Sequence, residues 1–214
     1  MLSTIFILNT LLFCLIFYFG TGRDKRVLSV SILWLFTIGT LALYKFFLKT
    51  DSTPPRFLFV LLGNVVFVLY VYNILKNKEI SNNYIMAIHV FRIPVEVFLF
   101  FLYLEEQVPK IMTFMGLNFD ILIGVSALII LIATNIFKFR LTKNILLIWN
   151  WIGLLFLMNI VVIAVLSAPL PFQQMSFDRP NIAVLSFPYV LLPSYIVPVV
   201  FLAHMITIKH LGIK

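Results

Sequence analysis

Seven long apolar runs, separated by short polar interruptions, organise this sequence: residues 2–19, 27–48, 57–75, 84–104, 119–137, 145–167 and 187–208. A run of about 20 apolar residues is long enough, as a helix rising about 1.5 Å per residue, to cross about 30 Å of hydrocarbon. The runs are continuously apolar, whereas barrel strands are about ten residues long and alternate in polarity, so helices are expected. The pattern predicts an all-α integral membrane protein: one seven-transmembrane-helix bundle in which residues 1–214 form a single domain. The interruptions at 20–26, 76–83 and 138–144 are short, while 105–118 and 168–186 are long enough to fold as caps over the opposite mouth.

Composition sharpens this picture into a topology. Of the 214 residues 62% are hydrophobic and 11% charged, and mean hydropathy is +1.09, a balance a water-soluble domain does not sustain. Ten basic residues, Arg23, Lys25, Arg26, Lys76, Lys78, Lys138, Arg140, Lys143, Lys209 and Lys214, fall in alternate loops and the tail. Only Lys45, Lys49, Arg56, Lys110 and Arg179 fall in the others. The positive-inside rule then predicts an external N-terminus, a cytoplasmic C-terminus and residence in a bacterial inner membrane. The net charge of +8 is accounted for by topology and by attraction to the lipid bilayer, so no nucleic-acid partner is invoked. The first run has no basic residue before it and three just after it, as expected of a retained helix and not a cleaved signal. Cys14 is the single cysteine, which excludes an intrachain disulfide.

The fourth run breaks the apolar pattern with HVFRIPVEVF, residues 89–98. Residues three, four or seven apart share a helix face, so His89, Arg92 and Glu96 form one stripe, continued by Phe100 and Tyr103. A charge at the depth expected for Glu96 costs on the order of 3 kcal/mol, so Arg92 and Glu96 should face protein or water. Their i, i+4 spacing predicts a direct pair, and Pro94 between them predicts a kink, because it cannot donate to the carbonyl of Val90. By depth, His204 and Asn150 belong with His89, and Asn159 with Glu96, although packing alone accounts for His204 and Asn150.

These residues favour small-molecule or ion transport, with Glu96 exchanging a proton, Arg92 its charge partner and His89 a relay on the cytoplasmic side. A haem-binding or redox-linked protein is the alternative, with His89 and His204 as axial ligands. A third reading is a non-catalytic subunit or assembly factor whose aromatic surface meets a membrane protein partner. No nucleophile and base are recognisable by spacing, and neither a zinc motif nor a phosphate loop is present, so no enzyme activity is read. A retinal protein is also disfavoured, because the last run lacks a lysine in its interior. Glu105, Glu106, Asp120 and Asp178 read as an outer hydrated surface, with Asn118 and Asp120 singled out as an external cap at the start of the fifth run.

Four segments, RIPVEVFLFFLYLE at 92–105, MTFMGLNFDILIG at 112–124, WNWIGLLFLMNIVVIAVLSAP at 149–169 and LPSYIVPVVFLAHMITI at 192–208, resemble an uncharacterised family of bacterial polytopic membrane proteins. The resemblance covers roughly the last 125 residues. It implies a bundle of about seven helices and supplies no activity.

Overall fold

A computed structural model of the chain describes residues 1–212; Lys214, counted above in the basic tail, lies outside them. The described residues form helices and no strands. In order these are α1 (Leu2–Gly20), α2 (Lys25–Leu43), α3 (Leu58–Leu75), α4 (Asn82–Val90), α5 (Arg92–Leu104), α6 (Asp120–Asn135), α7 (Lys143–Leu166) and α8 (Val197–Gly212). Counting α4 with α5, and α8 with the π-helical turn Leu192–Ile196 before it, six helices are long and apolar enough to cross a membrane; α6, at 16 residues, is shorter.

Four of the predicted runs differ from the observed helices, at an end or in the middle. The second was expected to reach 48, but the helix stops at Leu43, and Lys45 turns left-handed (φ 56°) before a short 3-10 turn at Phe46–Leu48. The fourth is interrupted at Phe91, one turn before Pro94, whose missing N–H leaves the Val90 carbonyl without its helical donor. The fifth, expected over 119–137, spans only Asp120–Asn135. The seventh, expected over 187–208, takes helical form at Leu192 and runs to Gly212.

The start of that last helix is built around Pro198. Proline cannot bond back to the carbonyls of Ser194 or Pro193, four and five residues earlier. Side chains from two neighbouring helices supply the missing donors: Trp34 Nε1 on α2 donates to Ser194 O (2.7 Å) and Asn64 Nδ2 on α3 donates to Pro193 O (2.8 Å).

Helix α8 is the most enclosed of the long helices, with Val199, Leu202, Ala203, His204 and Ile206 all buried, and it packs on α3, α4 and α7. Helix α1 presents Phe6, Phe13 and Phe17 on one face; Phe6 meets Phe98 and Phe13 meets Phe91, so α1 backs the interrupted α4–α5 element. One end of the bundle carries the short loops, joined by Asp24 to Arg26 and Lys78 and by Lys209 to the carbonyl of Lys76. At the other end the two long loops fold over one another, as the pattern predicts. Ile182 N donates to Gln107 O (3.0 Å), and Arg179 pairs with Glu106 (2.9 Å).

Candidate functional site

The site lies where α5, α6 and α8 meet, and it begins with Arg92. This first residue of α5 is 2% exposed. The expected Arg92 to Glu96 pair does not form. Arg92 Nη2 makes its ion pair with Asp120 Oδ1 at the start of α6, and Arg92 Nη1 donates to His204 Nε2 on α8 (3.1 Å). The i, i+4 spacing brings Glu96 near, but the guanidinium turns toward a carboxylate in a different segment.

Glu96 accepts from Asn118 Nδ2 (2.7 Å), which also donates to Met112 O (3.0 Å), while Asn118 Oδ1 accepts from the backbone N–H of Asp120 (3.0 Å). Asn118 therefore does hold a free donor at the start of a helix, as expected, but its other end enters the interior. Asn118 and Asp120 are 2% and 6% exposed, so they belong to the buried site and not to a separate external cap. Asn159, placed by depth beside Glu96, does not join it. Its amide donates to Leu117 O (2.7 Å), steadying the loop that presents Asn118.

The network continues through His204. Arginine only donates, so His204 Nε2 is the acceptor and Nδ1 carries the proton, donated to Asn150 Oδ1 (2.9 Å); Asn150 Nδ2 in turn donates to Leu146 O (2.8 Å). The His89 and His204 rings lie 4.1 Å apart at 33°, with Trp149 5.2 Å from His89 at its edge. His89 is buried, and neither of its ring nitrogens has a hydrogen-bond partner.

In this geometry His89 and His204 do not stand as two axial ligands of one haem. Imidazole nitrogens bind metals at about 2 Å, so two axial nitrogens stand about 4 Å apart and their ring centroids farther still. Rings with centroids 4.1 Å apart leave no plane between them for a macrocycle, and both nitrogens of His204 are already engaged. Among the described residues no cluster of three or more His, Cys, Asp or Glu side chains could hold a metal ion.

Two glycines make these close approaches feasible. A Cβ on Gly153 of α7 would overlap the His204 ring, and one on Gly124 of α6 would stand 2.8 Å from Ile93 Cγ1, beside the interruption between α4 and α5. Gly153 lies one helical turn beyond Asn150, a spacing visible in WNWIG; what identifies it as part of the site is its neighbour on α8.

Two spaces adjoin the network. The inner cavity, about 110 Å³, has Arg92, Glu96, Asp120 and Asn64 as its polar lining, with aliphatic side chains of α3, α5, α7 and α8 around them and Met112 and Val184 from the long loops above. The larger vestibule, about 1000 Å³, is at the short-loop end and reaches His89, Trp149 and Asn150 from a rim that includes Lys138, Arg140 and His210. The Arg92 to His204 to Asn150 chain runs from the lining of one to the lining of the other.

A family model described as Domain of unknown function (DUF8737) matches residues 52–212, which include every residue of the network and the whole of α3. No curated protein and no solved structure matches the chain.

Proposed function

We propose, for a chain that belongs to the DUF8737 family, that it is a multi-pass protein of a bacterial inner membrane which moves a small solute or ion across the bilayer, coupled to protons. Insertion is supported by six helices of spanning length whose outward residues, such as Leu8, Phe36, Val66, Phe101 and Leu155, would otherwise expose far more apolar surface than a soluble monomer tolerates. The clustering of Arg23, Lys25, Arg26, Lys76, Lys78, Lys138, Arg140, Lys143 and Lys209 supports a cytoplasmic short-loop end, which gives the N-terminus outside and the C-terminus inside.

One observation carries the transport reading: a buried hydrogen-bonded chain, Arg92 to His204 to Asn150, links the lining of the inner cavity to that of the vestibule. In this reading Arg92 and His204 part to join the two spaces and meet to close them, the element that alternating access requires. Glu96 is the group that exchanges a proton. The buried set holds one guanidinium and two carboxylates, and Asp120 takes the guanidinium, so only a proton or another cation on Glu96 balances the remaining charge. His89, which lines the vestibule with both ring nitrogens unpartnered, is the relay on that side in this reading.

Thiol access tests this without a known solute. In a Cys14→Ser background, Ala164→Cys reports on the inner cavity and Met86→Cys on the vestibule, each probed in liposomes with a membrane-impermeant thiol reagent from either side at pH 5.5 and 8. The expected result is that Ala164→Cys reacts from both sides with a pH-dependent balance that Glu96→Gln removes. Reaction from one side only, unchanged by pH or by Glu96→Gln, would end the transport reading.

A further inference from the structure

The inner cavity has an unbalanced set of polar atoms. Its polar side chains are Arg92, Asp120, Glu96 and Asn64. Arg92 and Asp120 are closed upon each other, and His204, the other titratable group facing them, spends its acceptor nitrogen on Arg92. Glu96 is 2% exposed, and of its two oxygens only Oε2 has a hydrogen-bond donor, Asn118. Asn64 has committed its amino group to Pro193 O, which leaves a buried amide oxygen without a partner. Oxygen acceptors of Glu96 and Asn64 thus remain for an occupant of the cavity. The donors without a hydrogen-bond partner, Arg92 Nε and Nη2, belong to a guanidinium whose charge Asp120 already balances.

We infer that this cavity binds a small organic cation, a primary ammonium on an aromatic or aliphatic body, with Glu96 and the Asn64 amide oxygen receiving the ammonium and the apolar walls receiving the body. The identification rests on the transport reading of the same cavity and names its substrate class. Charge decides the sign: with Glu96 ionised the set carries one net negative charge, and an unpaired buried carboxylate takes either a proton or a cation. An anion would have to pull Arg92 away from Asp120 while Glu96 stood nearby. Shape decides the body. Leu99, Leu157, Ile160, Val197 and Val200 offer no hydrogen bonds, and a volume of about 110 Å³ is of the order that admits a single benzene-sized ring. Proton and ammonium compete for one carboxylate, so binding the second expels the first, and the exchange is electroneutral.

Calorimetric titration of the purified full chain with benzylammonium, benzyl alcohol and benzoate tests the assignment. Benzylammonium is expected to bind, to release a proton (read from the dependence of the heat on buffer), and to bind more weakly as pH falls from 8 to 6, while benzoate does not bind. Glu96→Gln should weaken benzylammonium by more than about tenfold and abolish proton release, a loss typical of removing a charged partner. Ala164→Leu leaves every polar group in place and narrows the cavity, so it should weaken benzylammonium as well; if Glu96→Gln does not fold, this variant decides. Tighter binding of benzoate, no binding of benzylammonium, or full benzylammonium affinity in Ala164→Leu would overturn the assignment. If Ala164→Cys is reached from both sides and benzylammonium still fails, the substrate class is wrong and transport stands; if thiol access also fails, the transport reading falls with it.

Discussion

Asp24 and Asp120 each precede or begin a helix, each is buried and each meets an arginine, but their partners stand in opposite surroundings. Asp24 caps α2 by accepting from Arg26 N (2.8 Å), and its oxygens take the Arg26 and Lys78 side chains, which are 61% and 38% exposed. Asp120 meets an Arg92 side chain that is 3% exposed, in a site with no water-facing partner to share the charge. The first pair is a surface fastening between two loops, where solvent and salt replace whatever is removed. The second has no such substitute, so each partner is needed because the other is there.

That contrast can be broken most forcefully at Arg92. Arg92→Leu, or Asp120→Leu, should destabilise the protein by about 3–5 kcal/mol, as expected when one partner of a buried pair is lost. The double variant, which removes both charges, should recover a large part of that loss. Denaturant unfolding in detergent micelles measures all three, and additive losses would mean the pair is not a unit. A smaller effect is expected from Gly153→Ala, about 1–3 kcal/mol, because the added methyl forces the His204 ring off α7. Combining it with His204→Ala should cancel most of that overpacking, and the thermal midpoint reports whether it does.

Asp24→Ala should cost about 1 kcal/mol, the usual cost of losing a helix N-cap. This loss should shrink in high salt, whereas that of Arg92→Leu should not; a salt-sensitive Arg92→Leu would erase the distinction between the two regions. The smallest effect is a pH dependence. Hydrogen bonding to the Arg26 side chain, then to Lys78, holds the Asp24 carboxyl well below the usual carboxylate range, against the opposing effect of its burial. A carboxylate lowered on folding adds stability above its unfolded pKa of about 3.9 and loses it as pH falls below that toward the folded value. The difference in thermal midpoint between wild type and Asp24→Ala should therefore be constant from pH 8 to 5 and narrow below pH 4.

The helices were legible in the sequence because hydropathy over about 20 residues integrates a large signal. HVFRIPVEVF stood out for the same reason, since three polar residues in an apolar run are costly unless satisfied. Their partners were hidden. A helical spacing argument sees only one segment, so it paired Arg92 with Glu96, whereas the actual partner is 28 positions away, at Asp120. Depth counting placed Asp120 at a water interface because it assumed that every helix begins there. With 16 residues, about 24 Å of helix, α6 begins inside the protein: the loop before it carries Asn118 inward and Asp120 opens the helix there, both buried. Asn64 and Gly153 were unremarkable in sequence, because one acts through the broken backbone of another helix and the other by what it lacks.

The carbonyls left free around Pro198 tie the start of α8 to its neighbours. Ser194 O is satisfied by Trp34, which stands on α2, outside the segment shared with the family, while Pro193 O is satisfied by Asn64, within it. The last helix is therefore not self-sufficient in its own backbone: its first turn is completed by donors that reach it from two separate helices, α2 and α3.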